Sequence, residues 1–209
     1  MYLSDRDIKW AIEHQQLIIE PKPDYEKSLS STSLDLRLDN ADKAKIWNIE
    51  KYIARNKSSG HPDRELVLGK FRYPEFSPEF LTALPEDEVG NRVFRRGKEV
   101  IVKNGGFLLW QTKEKVGTPR DSNLICFVDG KSTLARTGLL VHLTAPTIHT
   151  TWSGHITLEI TNVGPFDFVL KEDDYVVQIT VSTVTSIPNK DQLASKTYDQ
   201  SNVSGRKDT

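Results

Sequence analysis

Residues 129–139 read Asp129-Gly130-Lys131-Ser132-Thr133-Leu134-Ala135-Arg136-Thr137-Gly138-Leu139, a basic, hydroxyl-rich run directly after the apolar stretch Leu124-Ile125-Cys126-Phe127-Val128. If Ser132 to Thr137 makes a helical turn or two, Ser132 and Arg136 stand four apart and project from one side. The start of such a turn offers backbone N–H groups to an anion, joined here by the hydroxyls of Ser132 and Thr133. Lys131 adds a compact charge suited to phosphate. The run is not a P-loop, which needs a glycine five places before Gly130, where Ile125 stands. Helix capping with a surface arginine is the plainer reading of the same residues.

A second candidate is His155-Ile156-Thr157-Leu158-Glu159-Ile160-Thr161. Period-two alternation puts Ile156, Leu158 and Ile160 on one face of a strand and His155, Thr157, Glu159 and Thr161 on the other. If the apolar face is core, Glu159 looks into whatever lies opposite. An arginine close by, such as Arg136, would favour its carboxylate form and so a competent base. Zinc-dependent deamination requires His-x-Glu and Pro-Cys-x-x-Cys, and neither occurs in a chain with one cysteine. Ser132 lacks the Gly-x-Ser-x-Gly elbow of a hydrolytic nucleophile. His14, His61, His142 and His149 are scattered, and each reads first as a structural or surface residue.

The elements that must hold these groups are mostly strands. Short apolar or alternating runs recur at Ser33–Leu38, Glu99–Val102, Phe107–Gln111, Leu124–Val128, Leu139–Leu143, His155–Thr161, Phe166–Leu170 and Tyr175–Val184. Such spacing predicts a barrel or jelly-roll-like sandwich. One amphipathic helix is expected from Ser4 to Gln16, where Ser4 and Asp7 resemble a starting box. Residues 40–66 read as a charged, irregular surface excursion, and 188–209 as a polar tail after a single domain over 1–187. The 209 residues carry a formal net charge of −1, so no global field calls for nucleic acid or an anionic membrane. Cys126 lies in an apolar run, which suits a reducing compartment. No apolar stretch reaches membrane-spanning length and no leader pattern opens the chain, so a cytoplasmic protein is expected.

Taken in order, these blocks resemble the dCTP deaminase branch of the trimeric dCTP deaminase and dUTPase superfamily. The resemblance is carried by Leu3-Ser4-Asp5-Arg6-Asp7-Ile8, Ser33–Leu38, Phe107-Leu108-Leu109-Trp110-Gln111-Thr112-Lys113-Glu114, Gly130–Leu139, Val141-His142-Leu143-Thr144-Ala145 and Trp152-Ser153-Gly154-His155-Ile156-Thr157-Leu158-Glu159. It implies a mainly β fold, a distorted jelly-roll-like β-barrel of the dUTPase type with a few short helices, assembled as a homotrimer with each site near a subunit boundary. By the same resemblance Glu159 is the proton shuttle for water attacking cytosine C4, Ser132 orients that water and Arg136 keeps Glu159 in register. Lys131 and Thr133 would hold the triphosphate with its Mg2+, Thr144 and Ala145 would read the base, and His149 and Trp152 would line the sugar. Lys196, Tyr198 and Gln200 resemble a tail element that closes over the nucleotide. One departure is Ile148-His149-Thr150-Thr151, where the family usually has Ile-Asp-x-Gly. A histidine cannot act as an acceptor-only anion there. The expected reaction is dCTP to dUTP and ammonia without zinc. The alternatives are a bifunctional enzyme forming dUMP, or a nucleotide-binding regulatory protein without turnover.

Overall fold

The computed structural model describes residues 1–56, 64–67, 72–189 and 202–204. Three antiparallel sheets form its body. The largest runs in the order β4 (Leu81–Ala83), β3 (Lys45–Trp47), β7 (Phe107–Gly117), β11 (Ser153–Asn162) and β9 (Leu139–Leu140), with β1 (Ile18–Glu20) also paired to β7. A second runs β10 (Thr147–Ile148), β8 (Leu124–Gly130), β13 (Tyr175–Thr183) and β2 (Leu34–Arg37), and a third runs β12 (Phe168–Lys171), β6 (Glu99–Val102) and β5 (Val93–Arg96). The mainly β architecture expected from the spacing of apolar runs is therefore present.

Burial follows alternation. Along β11 every second residue is buried, and Ile156, Leu158 and Ile160 join Trp110, Leu36 and Ile179 in one core. Cys126 is a fully buried member of that core, where loss of solvation pushes its thiol up to about 12. Helix α1 (Asp5–Glu13) starts where the Asp7 carboxylate accepts from the Ser4 N–H at 3.3 Å and the Ser4 hydroxyl at 2.8 Å, and it buries Ile8 and Ala11. No helix among the described residues is long and apolar enough to cross a membrane.

Residues 40–66 differ from the irregular excursion expected of them. Their described part holds a short 3-10 turn, strand β3, which enters the largest sheet between β4 and β7, and helix α3 (Ile49–Asn56). With α2 (Tyr25–Ser28) placed earlier in the chain, α4 (Tyr73–Phe80) follows and packs its rings onto this region, Phe76 lying 5.4 Å from Trp47 and 5.8 Å from Tyr52 between centroids. Charged residues here occupy the outward side while Trp47, Tyr52, Phe76 and Phe80 supply the contacts, so charge density hid an aromatic cluster.

Strand β7 is the backbone of the site. Its pairing with β11 slips between His155 and Thr157, whose partners are Lys115 and Gln111. At this bulge the Thr112 hydroxyl accepts from the Ile156 N–H at 3.0 Å and donates to the Glu114 carbonyl at 2.7 Å, so a side chain takes over two backbone groups that the slip removes from the ladder. The same turn of strand buries Glu114, which accepts from the Arg37 N–H at 2.8 Å and from Arg37 Nε at 2.7 Å, while Arg37 Nη1 reaches Asp173 at 2.9 Å. The Glu114 side chain is 3% exposed and that of Asp173 is 49% exposed. Glu114→Ala takes the acceptor from the Arg37 N–H and Nε while leaving Arg37 its contact to Asp173, and should lower unfolding free energy by about 1–3 kcal/mol. Asp173→Ala, at an exposed pair, should cost under about 1 kcal/mol. Urea denaturation of both variants checks this ordering, and equal losses would contradict it.

Candidate functional site

A cavity of about 560 Å³ opens against the polar face of β11. Thr157 and Glu159 project from that strand, Phe107 and Leu109 from β7, Val128 from β8 and Ile148 from β10. His142 and Ala145 come from the connection between β9 and β10, His149 and Trp152 from the turn after β10. Trp47, Tyr73, Asn202 and Val203 add to the wall, as do Thr147 and Ile156. The lining is largely apolar with a few polar groups, as small-molecule sites are.

Glu159 and His142 form the ionisable centre. His142 Nδ1 lies 3.0 Å from Glu159 Oε2, with side chains 7% and 30% exposed. Neither buried ring nitrogen has a well-aligned hydrogen-bond acceptor among the described residues, so this contact acts as charge at close range. The carboxylate raises the pKa of His142 above its ordinary value against the opposing effect of burial, helped by the Ala145 backbone and the charge of Asp129. For Glu159, burial pushes upward, but His142 and the Leu143 N–H, which donates at 3.5 Å, hold it below the usual carboxylate value.

The signs give a pH window. His142, raised on folding, contributes fully below its unfolded value near 6.5 and loses that contribution as pH rises through the folded value. Glu159, lowered on folding, contributes above its unfolded value near 4.5 and loses that contribution as pH falls through the folded value. The stabilisation therefore peaks between these two unfolded values. The difference in Tm between wild type and His142→Asn should be largest there and shrink on both sides, measured from about pH 3 to about pH 9. A difference independent of pH would mean that the ring acts by packing alone.

The turn carrying His149 and Trp152 is closed by the Trp152 N–H donating to the His149 carbonyl at 3.3 Å. Thr151 within it has φ 65°, a left-handed conformation that a β-branched residue adopts at a cost of about 1–3 kcal/mol. Its N–H donates to the buried Thr118 hydroxyl at 2.7 Å, which helps hold it there. This is where the resemblance expects glycine, so the backbone shape is kept without the residue that makes it easy.

The other expected residues lie elsewhere in the chain. Helix α5 (Ser132–Thr137) forms as the sequence predicts and ends at Gly138, φ 95°. A Cβ on Gly138 would come within 2.2 Å of Gly164 Cα, so close backbone approach fixes this helix against the loop after β11. Ser132, Thr133 and Arg136 are exposed on it, and none of them lines the cavity. Lys131 pairs with Asp35. Thr144 is exposed beside the lining residue Ala145. The arginine expected beside Glu159 is thus replaced, within one chain, by His142. Lys196, Tyr198 and Gln200 lie outside the described residues. Sequence reasoning missed His142, Trp47, Tyr73 and Val203 as site residues; only His142 sat in a block already singled out.

A half-buried, ionised carboxylate lining an apolar cavity can accept a proton from water and return it to a leaving group. Exposed hydroxyls and an arginine on α5 can bind an anion.

A family profile described as dCTP deaminase-like matches residues 2–184. The "dCTP deaminase, dUMP-forming" of Halobacterium salinarum is 30% identical over 203 residues, spanning 96% of this chain and 91% of its own. The "dCTP deaminase" of Marinomonas sp. (strain MWYL1) is 33% identical over 185 residues, spanning 88% and 84%. Among solved structures, the 2'-deoxycytidine 5'-triphosphate deaminase from Agrobacterium tumefaciens shares the fold with a TM-score of 0.58 at 16% identity. That alignment covers 88% of this chain and 48% of the other, so this chain spans about half the length of that one.

Proposed function

Because this chain belongs to the dCTP deaminase family, we propose that it deaminates dCTP hydrolytically, releasing dUTP and ammonia. The observation that supports this most is Glu159, ionised and facing an apolar cavity of base-and-sugar size beside His142. On this reading Glu159 takes a proton from water as the oxygen bonds to C4 of the cytosine. The C4–N4 bond then breaks as Glu159 returns a proton to the departing amine, so that one water is consumed and one ammonia leaves. Backbone groups at Thr144 and Ala145 read the base edge, and His149 and Trp152 flank the sugar.

The exposed half of the expected site has a natural explanation in assembly. Three copies arranged so that α5 of one faces the cavity of the next would bring Ser132 to the attacking water and Arg136 to Glu159. Lys131 and Thr133 would then meet the triphosphate, Lys131 exchanging Asp35 for phosphate. The Mg2+ carried by the triphosphate belongs with the substrate. On this reading its ligands are phosphate oxygens and water.

Release of dUMP is the second reading, favoured by the name of the Halobacterium relative. Against it, Glu159 is the one carboxylate lining the cavity among the described residues, and His149 stands where a second would serve pyrophosphate release. Incubating the protein with dCTP and magnesium, resolving nucleotides and assaying ammonia, tests all three readings. Ammonia with dUTP supports the proposal; dUMP with pyrophosphate replaces it by the bifunctional reaction. Nucleotide binding without ammonia points to a regulatory protein.

A further inference from the structure

The described C-terminal residues 202–204 are seated at the cavity in an unusual way. Val203 is 4% exposed, and it and Asn202 line the same cavity as Glu159 and His142. Two hydroxyls of α4 hold this short turn: Tyr73 Oη donates to the Val203 carbonyl at 2.8 Å, and Ser77 Oγ, fully buried, donates to the Ser204 carbonyl. The turn is also closed on itself, the Asn202 side-chain oxygen accepting from the Ser204 N–H at 2.9 Å and from the Ser204 hydroxyl. Tyr73 meets Trp47 edge-on at 6.3 Å, and both rings belong to the cavity wall.

We infer that Val203 is a substrate-wall residue and that Tyr73 and Ser77 are the positioning residues that hold it there. Both α4 hydroxyls bond to main-chain carbonyls, so they fix where the turn sits without reading its side chains. A valine is left lining the cavity that Glu159 also lines, where its methyl groups take space from water. Strand β3 and helix α4 thereby act on the reaction without touching a reacting atom. Trp47 and Tyr73 form one stretch of wall, and the α4 hydroxyls set the position of Val203 beside it. The part of this inference that concerns substrate rests on the deaminase reading; the seating of the turn does not.

The test uses the full chain with Tyr73→Phe, Ser77→Ala and the double variant, each checked for an unchanged fold by circular dichroism. The first readout is hydrogen exchange of the C-terminal peptide containing 202–204. The second is KM and kcat for dCTP. Losing one neutral hydrogen bond is worth roughly a 5-fold change, so the double variant should exchange about 25-fold faster. Its KM should rise by a comparable factor, with the loss falling on KM more than on kcat. Val203→Ala should repeat the KM effect without freeing the turn, and Val203→Ile should restore most of it. Unchanged exchange, or faster exchange with unchanged KM, overturns the inference. If wild type binds dCTP but releases no ammonia, the deaminase reading fails and Kd from calorimetry replaces KM. Weaker binding by the double variant then still supports the wall, and equal binding overturns it. A wild type that binds no dCTP overturns both.

Discussion

Replacing Glu159 with glutamine is expected to lower kcat for dCTP by at least about 10²–10⁴-fold, the usual worth of a positioned general acid–base group. Nucleotide affinity should change far less. Glutamine keeps the size of the side chain and an oxygen that can accept from the Leu143 N–H, but it can neither take a proton from water nor deliver one to the amine. The substitution carries a second, independent signature. Glu159 is the largest influence raising the pKa of His142, so His142 in the variant should titrate at lower pH, visible by NMR of its ring protons. Glu159→Asp separates charge from placement. It keeps the carboxylate but withdraws it by one methylene, and a misplacement of about 1 Å can cost on the order of 10² in rate. An unchanged kcat in Glu159→Gln, with His142 shifted as expected, would remove Glu159 from the chemistry while confirming the pair.

Much of this site can be read from local pattern, and the remainder fails for definable reasons. The alternation in His155–Thr161 gives β11 and the facing of Glu159 because one residue in two is core. Gly138 marks the end of α5 because only a left-handed residue fits there, close to Gly164. The second half of β7 is hidden, since Lys113 and Lys115 interrupt the apolar run and the slip at Thr112 breaks the period. Strands β1, β3 and β4 are three residues each, too short for any period to register. Helix α4 carries Pro78 in its interior, which argues against a helix in sequence. His142 lies seventeen positions before Glu159 on a different strand connection, and its role appears only when β9 and β11 pair. Val203 sits in a polar tail, where one buried valine carries no pattern. The i,i+4 spacing of Ser132 and Arg136 gives the side of the helix they share, but spacing within a chain is silent on which copy of the chain they serve.

That last point yields the sharpest prediction about assembly. Arg136→Ala alone should lose about 10²–10³-fold in kcat, the worth of a charged donor aimed at a reacting group. Within a single chain Arg136 is exposed and outside the cavity, so such a loss has no intramolecular cause. If α5 of one copy completes the cavity of the next, Arg136→Ala and Glu159→Gln are defects in different halves of a shared site. Co-expressing the two variants in equal amounts, with distinct tags to isolate mixed assemblies, then restores activity. In a mixed trimer of either composition, one of the three junctions joins a cavity that retains Glu159 to an α5 that retains Arg136, so about a third of the sites are intact. A chain carrying both substitutions, co-expressed with neither partner, recovers nothing and sets the baseline. A site built within one chain predicts no recovery in the mixture, because every cavity then pairs one intact half with one broken half. Recovery near a third would place the α5 residues in trans, and recovery at baseline would return Ser132 and Arg136 to a surface role or to a rearrangement within the chain.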